Sequence, residues 1–125
     1  MEFSIRAHLR QIPMSPRKMR LVIDLVRGKP VQEALAILQF TPNSAAAPAR
    51  KLVASAAANA EENYGLMSDE LYVAEIMAGE GRRRKKGRFG ARGRFKPEVS
   101  RSCHVSVALR EINPQPLTAA EAAEA

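Results

Sequence analysis

The sequence predicts an α+β fold with three helices, three strands and one long basic hairpin that protrudes from the body of the protein. Apolar side chains recur at helical spacing in three stretches of residues 16–63. Apolar and polar side chains alternate near residues 3–12, 71–81 and 102–112, as is typical of half-buried strands. Between the last two strands lies a basic segment with three glycines, residues 82–101, which predicts a hairpin.

Size and charge restrict the class of protein. The 125 residues suffice for one domain with a modest core. A net charge of +7 indicates a polyanionic partner, such as nucleic acid or an anionic membrane surface. The single Cys103 excludes an internal disulfide, and one Cys with two His does not make a zinc site. No apolar run approaches the roughly 18–20 residues of a membrane span, and the N-terminus lacks the apolar region of a signal peptide. We therefore expect a cytoplasmic protein without a metal or cofactor.

Each helix has recognisable limits. The three helices are expected near residues 16–28, 31–40 and 43–63. The start of the third helix has an alternative at Ala47, because Pro48 would lose one backbone bond in a helix that began earlier, and Gly65 is expected to close it. Ser15 and Pro16 fit the N-cap and the first position of the first helix, which is ended by a glycine at its C-cap. The apolar stripe expected for this helix comprises Met19, Leu21, Val22, Ile23, Leu25 and Val26.

Alternation assigns each strand side chain to a face of the sheet. The first strand is ended by Pro13 and has a basic outer face. In the second strand, strict alternation would place Leu71, Val73 and Glu75 on the same face. In the last strand, Cys103 is expected to be a small buried residue. The basic outer side chains of the first strand are Arg6, His8 and Arg10.

The excess positive charge is confined to one segment. Residues 82–101 carry ten basic residues and one acid, Glu98, whereas the other 105 residues have a net charge of −2. Their only sizeable apolar residues are Phe89, Phe95 and Val99, too few to pack the segment onto a core. Two arms of about ten residues would form a ribbon roughly 33 Å long. Like charges repel one another until phosphates neutralise them, and the aromatic rings could stack on unpaired bases.

Three other interpretations are open. A run of charge is often a solvated tail or a nuclear-import signal, although this run lies between two strands. The two helices that meet at residues 28–30 could form a helix-turn-helix in a free DNA- or RNA-binding regulator, although Pro30 and the lack of a polar recognition helix weaken this interpretation. A small enzyme needs convergent titratable groups, and only an activity lost on changing His104 would support one.

Four segments of this sequence resemble a known family, protein twenty-two of the bacterial large ribosomal subunit. The run SPRKMRLVIDLVRGKPVQEALAILQF and the run SAAANAEEN carry most of the resemblance, with GRF and RSCHVSV, and the match extends over residues 3–112. The resemblance implies three helices packed on a small three-stranded antiparallel sheet, with one long hairpin. It also implies a non-enzymatic structural constituent of the large subunit that binds its ribosomal RNA and supports assembly.

The resemblance implies partners and site residues as well. The partners are large-subunit ribosomal RNA, neighbouring large-subunit proteins and the nascent polypeptide, with no membrane span and no homo-oligomer. The hairpin is expected to line the exit tunnel with its tip, Phe89, Gly90, Ala91, Arg92, Gly93 and Arg94, where the family usually has Pro-Arg-Ala-x-Gly-Arg. The side chains expected to bind ribosomal RNA are Arg6, Arg10, Arg17, Lys18, Arg20, Lys29, Arg82, Arg83, Arg84, Lys85, Lys86, Arg88, Arg92, Arg94, Lys96, Arg101 and His104.

The expected organisation is a single domain, residues 1–112, followed by a disordered tail, residues 113–125. Within the domain, the body comprises residues 1–80 and 102–112, and the hairpin comprises residues 81–101.

Overall fold

A computed structural model describes residues 4–112, so the expected tail, residues 113–125, lies outside the described residues. The described part of the chain contains three α-helices, five strands and two short 3-10 turns. The strands and helices, in chain order, are β1 (Ile5–Ile12), α1 (Pro16–Ile23), α2 (Val31–Phe40), α3 (Ala46–Tyr64), β2 (Leu71–Glu80), β3 (Arg84–Phe89), β4 (Phe95–Ser100) and β5 (Cys103–Glu111).

The body is an antiparallel sheet with helices on one face. Three strands pair in the order β1-β5-β2, and α1 and α3 pack against this sheet while α2 packs on α3. The core between them is purely apolar, since no polar or charged side chain of the described residues is buried. A second, two-stranded sheet is formed by β3 and β4. This architecture confirms the predicted α+β class with three helices on a three-stranded antiparallel sheet.

The first helix is shorter than predicted. The Ser15 side chain caps it as expected, but the helix ends at Ile23 and a series of turns follows. Leu21 is 66% exposed and Leu25 is 48% exposed, so the prediction that they widen the apolar stripe was wrong. Leu21 lies two positions after buried Met19, and two residues turn a helix by about 200°, away from the core.

The third helix begins within one residue of Ala47, the alternative start that its nearby proline predicted. It starts at Ala46 rather than near Asn43, so Pro48 lies in the first turn, where a backbone N–H has no partner inside the helix. The helix ends at Gly65, which adopts φ +65° and donates its N–H to the Glu61 carbonyl. The small buried side chains of this helix are Ala46, Ala49, Ala56 and Ala60.

A bulge in β2 interrupts the expected alternation. Val73 pairs with Leu109 and Glu75 pairs with Ala108, so Ala74 is the extra residue. Glu75 is consequently exposed and Ile76 is buried, which contradicts the prediction that Glu75 shares a face with Val73. The bulge keeps a carboxylate out of the apolar core.

Candidate nucleic-acid interface

The hairpin ladder pairs six residues on each arm. It runs from Arg84 opposite Ser100 to Phe89 opposite Phe95. Each arm is therefore about 20 Å long, whereas arms of ten residues and roughly 33 Å were expected. Pro97 lies inside the ladder opposite Gly87 and does not interrupt it, since both strands of this small sheet are edge strands.

The break between the two sheets has a local cause. The Gly81 N–H donates to the Ser102 carbonyl at 2.9 Å, which is the last backbone bond before the hairpin. The Ser102 hydroxyl then donates to the Arg82 carbonyl at 2.7 Å. The hydroxyl therefore occupies a carbonyl that would accept a backbone N–H in a continuous ladder. Strand pairing resumes only at Arg84.

A tight turn forms the tip of the hairpin. Residues 91–93 form a 3-10 turn in which Arg92 and Gly93 both adopt positive φ, +60° and +70°. Below the turn, the Phe89 and Phe95 rings meet edge to face, with centroids 6.5 Å apart and planes at 78°. Aromatic pairs prefer this geometry. The residues expected at the tip thus form one continuous turn closed by an aromatic pair.

The cations of the hairpin segment are exposed. Every side chain of β3 and β4 is exposed, and none of residues 81–102 is buried. Two of the ten cations form ion pairs, Arg83 with Glu80 at 2.8 Å and Arg88 with Glu98 at 3.1 Å. Such exposed pairs contribute little to stability. The other eight cations of residues 82–101 have no ion-pair partner among residues 4–112.

A shallow basic cleft lies where the hairpin leaves the body. Gln11 adopts φ +57° at a bulge in β1, and its N–H donates to His104 Nδ1 at 3.1 Å. An accepting Nδ1 requires a neutral ring with its proton on Nε2, so Nε2 is the nitrogen that can donate to a phosphate. None of the cleft residues is acidic; they are Gln11, Pro13, Arg82, Arg84, Lys86, Ser100, Arg101 and Ser102.

The basic surface continues from the cleft onto the outer face of the main sheet. Gln11 also lines a second depression, which includes Arg10 and His104. Arg6 and His8 extend the same face of β1 and are exposed. The structure therefore brings the sequence-predicted residues Arg10 and His104 together with those at the hairpin base.

The other predicted RNA-binding cations lie elsewhere. Arg17 and Lys18 are exposed on α1. The Arg20 Nε donates to the Ala78 carbonyl at 3.2 Å, on the free edge of β2, so part of this guanidinium has a structural role. Lys29 is exposed, but its carbonyl accepts from the Val73 N–H at 2.9 Å. Val73 lies seven residues before the end of β2 that leads into the hairpin. Lys29, beside Val73, is therefore roughly 23 Å from the hairpin base.

Sequence reasoning missed three residues that organise this region. Arg27 binds Asp24 at 2.6 Å and the Ile76 carbonyl at 2.8 Å, and with Arg20 it covers the open edge of β2. Gln11 and Ser102 connect the hairpin base to the sheet, since the Ser102 hydroxyl lies 3.3 Å from Gln11 Oε1. The sequence offers no signal for these roles, because each depends on a strand that is distant along the chain.

Other chemistry is sparse in the described part of the chain. Cys103 is buried as expected, and this burial raises the pKa of its thiol above the usual 9.0. No cluster of three or more His, Cys, Asp or Glu within residues 4–112 could hold a metal ion. No helix in the same range is long and apolar enough to cross a membrane.

Comparison with known proteins identifies the family. A family model described as Ribosomal protein L22p/L17e matches residues 7–110. The chain is 49% identical over 110 residues to large ribosomal subunit protein uL22 of Lactobacillus delbrueckii subsp. bulgaricus, covering 88% of this chain and 94% of that protein. It is 48% identical over 108 residues to the protein of the same name from Thermomicrobium roseum, covering 86% and 92%. This chain, with its small α+β body and exposed basic hairpin, therefore belongs to the L22p/L17e family of ribosomal proteins.

Proposed function

We propose that this chain binds large-subunit ribosomal RNA, supports assembly of the subunit and places its hairpin along the nascent-polypeptide exit tunnel. Family membership gives the chain a structural, non-enzymatic role in the cytoplasmic ribosome. The named relatives are proteins of the large ribosomal subunit, so this subunit and its RNA are the proposed partners.

The observation that carries the proposal is the charge of the exposed hairpin. Residues 82–101 hold ten cations, and eight of them have no ion-pair partner among residues 4–112. Arginine and lysine side chains held apart on an extended ribbon can each contact a different phosphate. The basic cleft and the outer sheet face continue this surface, so the RNA is expected to contact Arg6, Arg10 and His104 in addition to the hairpin.

The proposed tunnel contact follows from the shape of the tip. Residues 90–94 form a compact turn whose side chains contribute no buried surface to the body. A narrow two-stranded ribbon can pass between RNA helices and expose such a turn at its end. We therefore assign the tip, residues 89–94, to the tunnel wall, where it would contact the nascent polypeptide.

Cells that express a tagged copy of this chain provide the test. After lysis, the chain should sediment with large subunits and remain bound when monovalent salt is raised to about 500 mM, because the RNA then surrounds the hairpin on several sides. A variant in which residues 82–101 are replaced by glycine-serine linker of equal length is the control, and it should be absent from the subunits. Sedimentation of the intact chain with free DNA, and not with subunits, would contradict the proposal.

The free regulator receives no support from the structure. Its candidate recognition helix is α2, Val31–Phe40, which contains no Lys or Arg and carries Glu33 in its first turn. An acidic first turn on a helix without cations opposes contact with a phosphate backbone.

A further inference from the structure

The register of the hairpin divides its side chains between two chemically different faces. Side chains alternate along each strand, and residues that pair directly across an antiparallel ladder share a face. One face, here named the cationic face, holds Arg84, Lys86, Arg88, Lys96, Glu98 and Ser100. The other, named the apolar face, holds Lys85, Gly87, Phe89, Phe95, Pro97 and Val99.

The apolar face is open and partly preorganised. Phe89 is 84% exposed, Phe95 is 67% exposed and Val99 is 41% exposed. The Phe95 ring also lies over the backbone of Gly87, so closely that a Cβ at residue 87 would overlap it. The absence of a side chain at Gly87 thus allows the ring to lie against the ribbon, where the edge of its aromatic neighbour contacts it.

We infer that this apolar face stacks on unpaired nucleobases of RNA while the surrounding cations hold the phosphates of the same strand. This inference rests on the proposed function, because it specifies how the hairpin binds RNA. Aromatic rings stack on any base, and an unpaired nucleotide presents a flat apolar face and a negative phosphate within a few ångströms. Lys85 lies on the apolar face, and Arg92 and Arg94 lie at the tip, so cations flank the two rings.

Charge complementarity favours a nucleotide over other occupants of this face. A second copy of the chain would bring another segment with ten cations and one acid against the first, at a cost in repulsion. An apolar peptide would cover the rings but would leave the neighbouring lysine and arginines without counter-charge. RNA supplies both the π surface and the phosphates.

Two short RNA probes test the inference on the full-length protein. One is a 12-nucleotide single strand that contains 2-aminopurine, and the other is a 12-base-pair duplex of matching composition. The double variant Phe89→Leu/Phe95→Leu keeps the apolar area but removes the stacking surface. We expect it to bind the single strand about tenfold or more weakly than the wild type, with less than a twofold change for the duplex. Quenching of 2-aminopurine should be lost in parallel.

The variant Phe40→Leu is the matched control, because Phe40 is 80% exposed at the end of α2 and belongs to the body. It should leave both affinities unchanged. Wild-type binding of both probes with no loss in the double variant would overturn the inference and leave the proposed function intact. Failure of the wild type to bind either probe and to join large subunits would instead contradict the proposed function.

A second measurement separates RNA from the nascent polypeptide as the occupant. Photoreactive p-benzoylphenylalanine in place of Phe95, in translating ribosomes, should crosslink to ribosomal RNA. Crosslinks confined to the nascent polypeptide would overturn the inference.

Discussion

The body and the hairpin of this protein follow opposite physical rules. In the body, 25 apolar residues are buried, and none of the described polar or charged side chains is buried. In residues 81–102, no side chain is buried and cations are the most frequent residue type. The body can therefore be stabilised by its own hydrophobic core, whereas the hairpin lacks that source of stability.

This difference shows where each region obtains its order. An isolated two-stranded hairpin is marginally stable in water, and here repulsion among ten cations lowers its stability further. The Phe89–Phe95 pair and the Arg88–Glu98 ion pair are side-chain contacts that, with the backbone ladder, oppose this repulsion, and both are solvent-exposed. We expect the hairpin to gain most of its order from phosphates, and the body to need none.

Removal of the hairpin should have the largest effect on RNA binding and should leave the stability of the body nearly unchanged. The Gly81–Ser102 backbone bond shows that the strand ends are adjacent, so an Asn-Gly turn can replace residues 82–101. Affinity for large-subunit ribosomal RNA should fall about a thousandfold or more at moderate salt, as measured by filter binding. The thermal midpoint of the shortened chain should stay within a few degrees of that of the intact chain.

The charge of the hairpin can be separated from its shape by a second variant, in which all ten cations of residues 82–101 become Gln. It should lose nearly as much affinity as the deletion. If the deletion variant kept its RNA affinity within tenfold, the body alone would bind the RNA. That result would contradict the distinction between the body and the hairpin.

A valine-to-alanine substitution should lower the free energy of unfolding more in the body than in the hairpin. Val107 is 2% exposed in the core, and Val99 is 41% exposed on the hairpin. Val107→Ala should lower the free energy of unfolding by about 2 kcal/mol, because it removes two buried methyl groups and leaves a cavity. Val99→Ala should change it by less than about 0.5 kcal/mol. Urea denaturation followed by circular dichroism checks both values, and equal costs would mean that the hairpin packs on the body.

Neutralising one hairpin cation should change the salt dependence of RNA binding by one phosphate contact. Arg84→Gln should reduce the slope of log K against log salt by about 0.7–0.9 and weaken binding several-fold at low salt. Arg50→Gln is the control, since Arg50 is also exposed but lies on α3. A slope unchanged by Arg84→Gln, or reduced equally by both variants, would remove the distinction between the two regions.

The smallest expected effect concerns the alkaline limit of the body. Burial raises the pKa of the Cys103 thiol above 9.0, so the unfolded chain releases this proton at lower pH than the folded chain does. The contribution to stability is fully present below pH 9 and is lost as pH rises through the folded pKa. Between pH 8 and pH 10 the wild type should therefore lose slightly more stability than Cys103→Ala does. Identical losses in urea titrations would contradict this.

Local signals in the sequence predicted the elements whose limits are set by neighbouring residues. Ser15 and Pro16 begin α1, and Gly65 ends α3, because caps and prolines act within one turn. The alternation of β5 identified its buried face, including Cys103. The hairpin was predicted from the contrast between its charge and its few apolar residues, which needs no knowledge of the fold.

Features that depend on distant strands could not be predicted in this way. The bulge at Ala74 follows from pairing with β5, some thirty residues later, and local alternation does not encode it. The role of Arg27 at the edge of β2 and the bond between Gln11 and His104 also join distant segments. The short ladder results from one hydroxyl group, that of Ser102, which competes with backbone pairing.

Amide hydrogen exchange tests most directly the claim that phosphates, and not the body, order the hairpin. In the free full-length protein, amides of residues 84–100 should exchange close to their unprotected rates, whereas amides of β5 should be strongly protected. Addition of large-subunit ribosomal RNA should protect the hairpin amides and leave the protection of β5 nearly unchanged. Hairpin amides protected as strongly as those of β5 without RNA would contradict the claim.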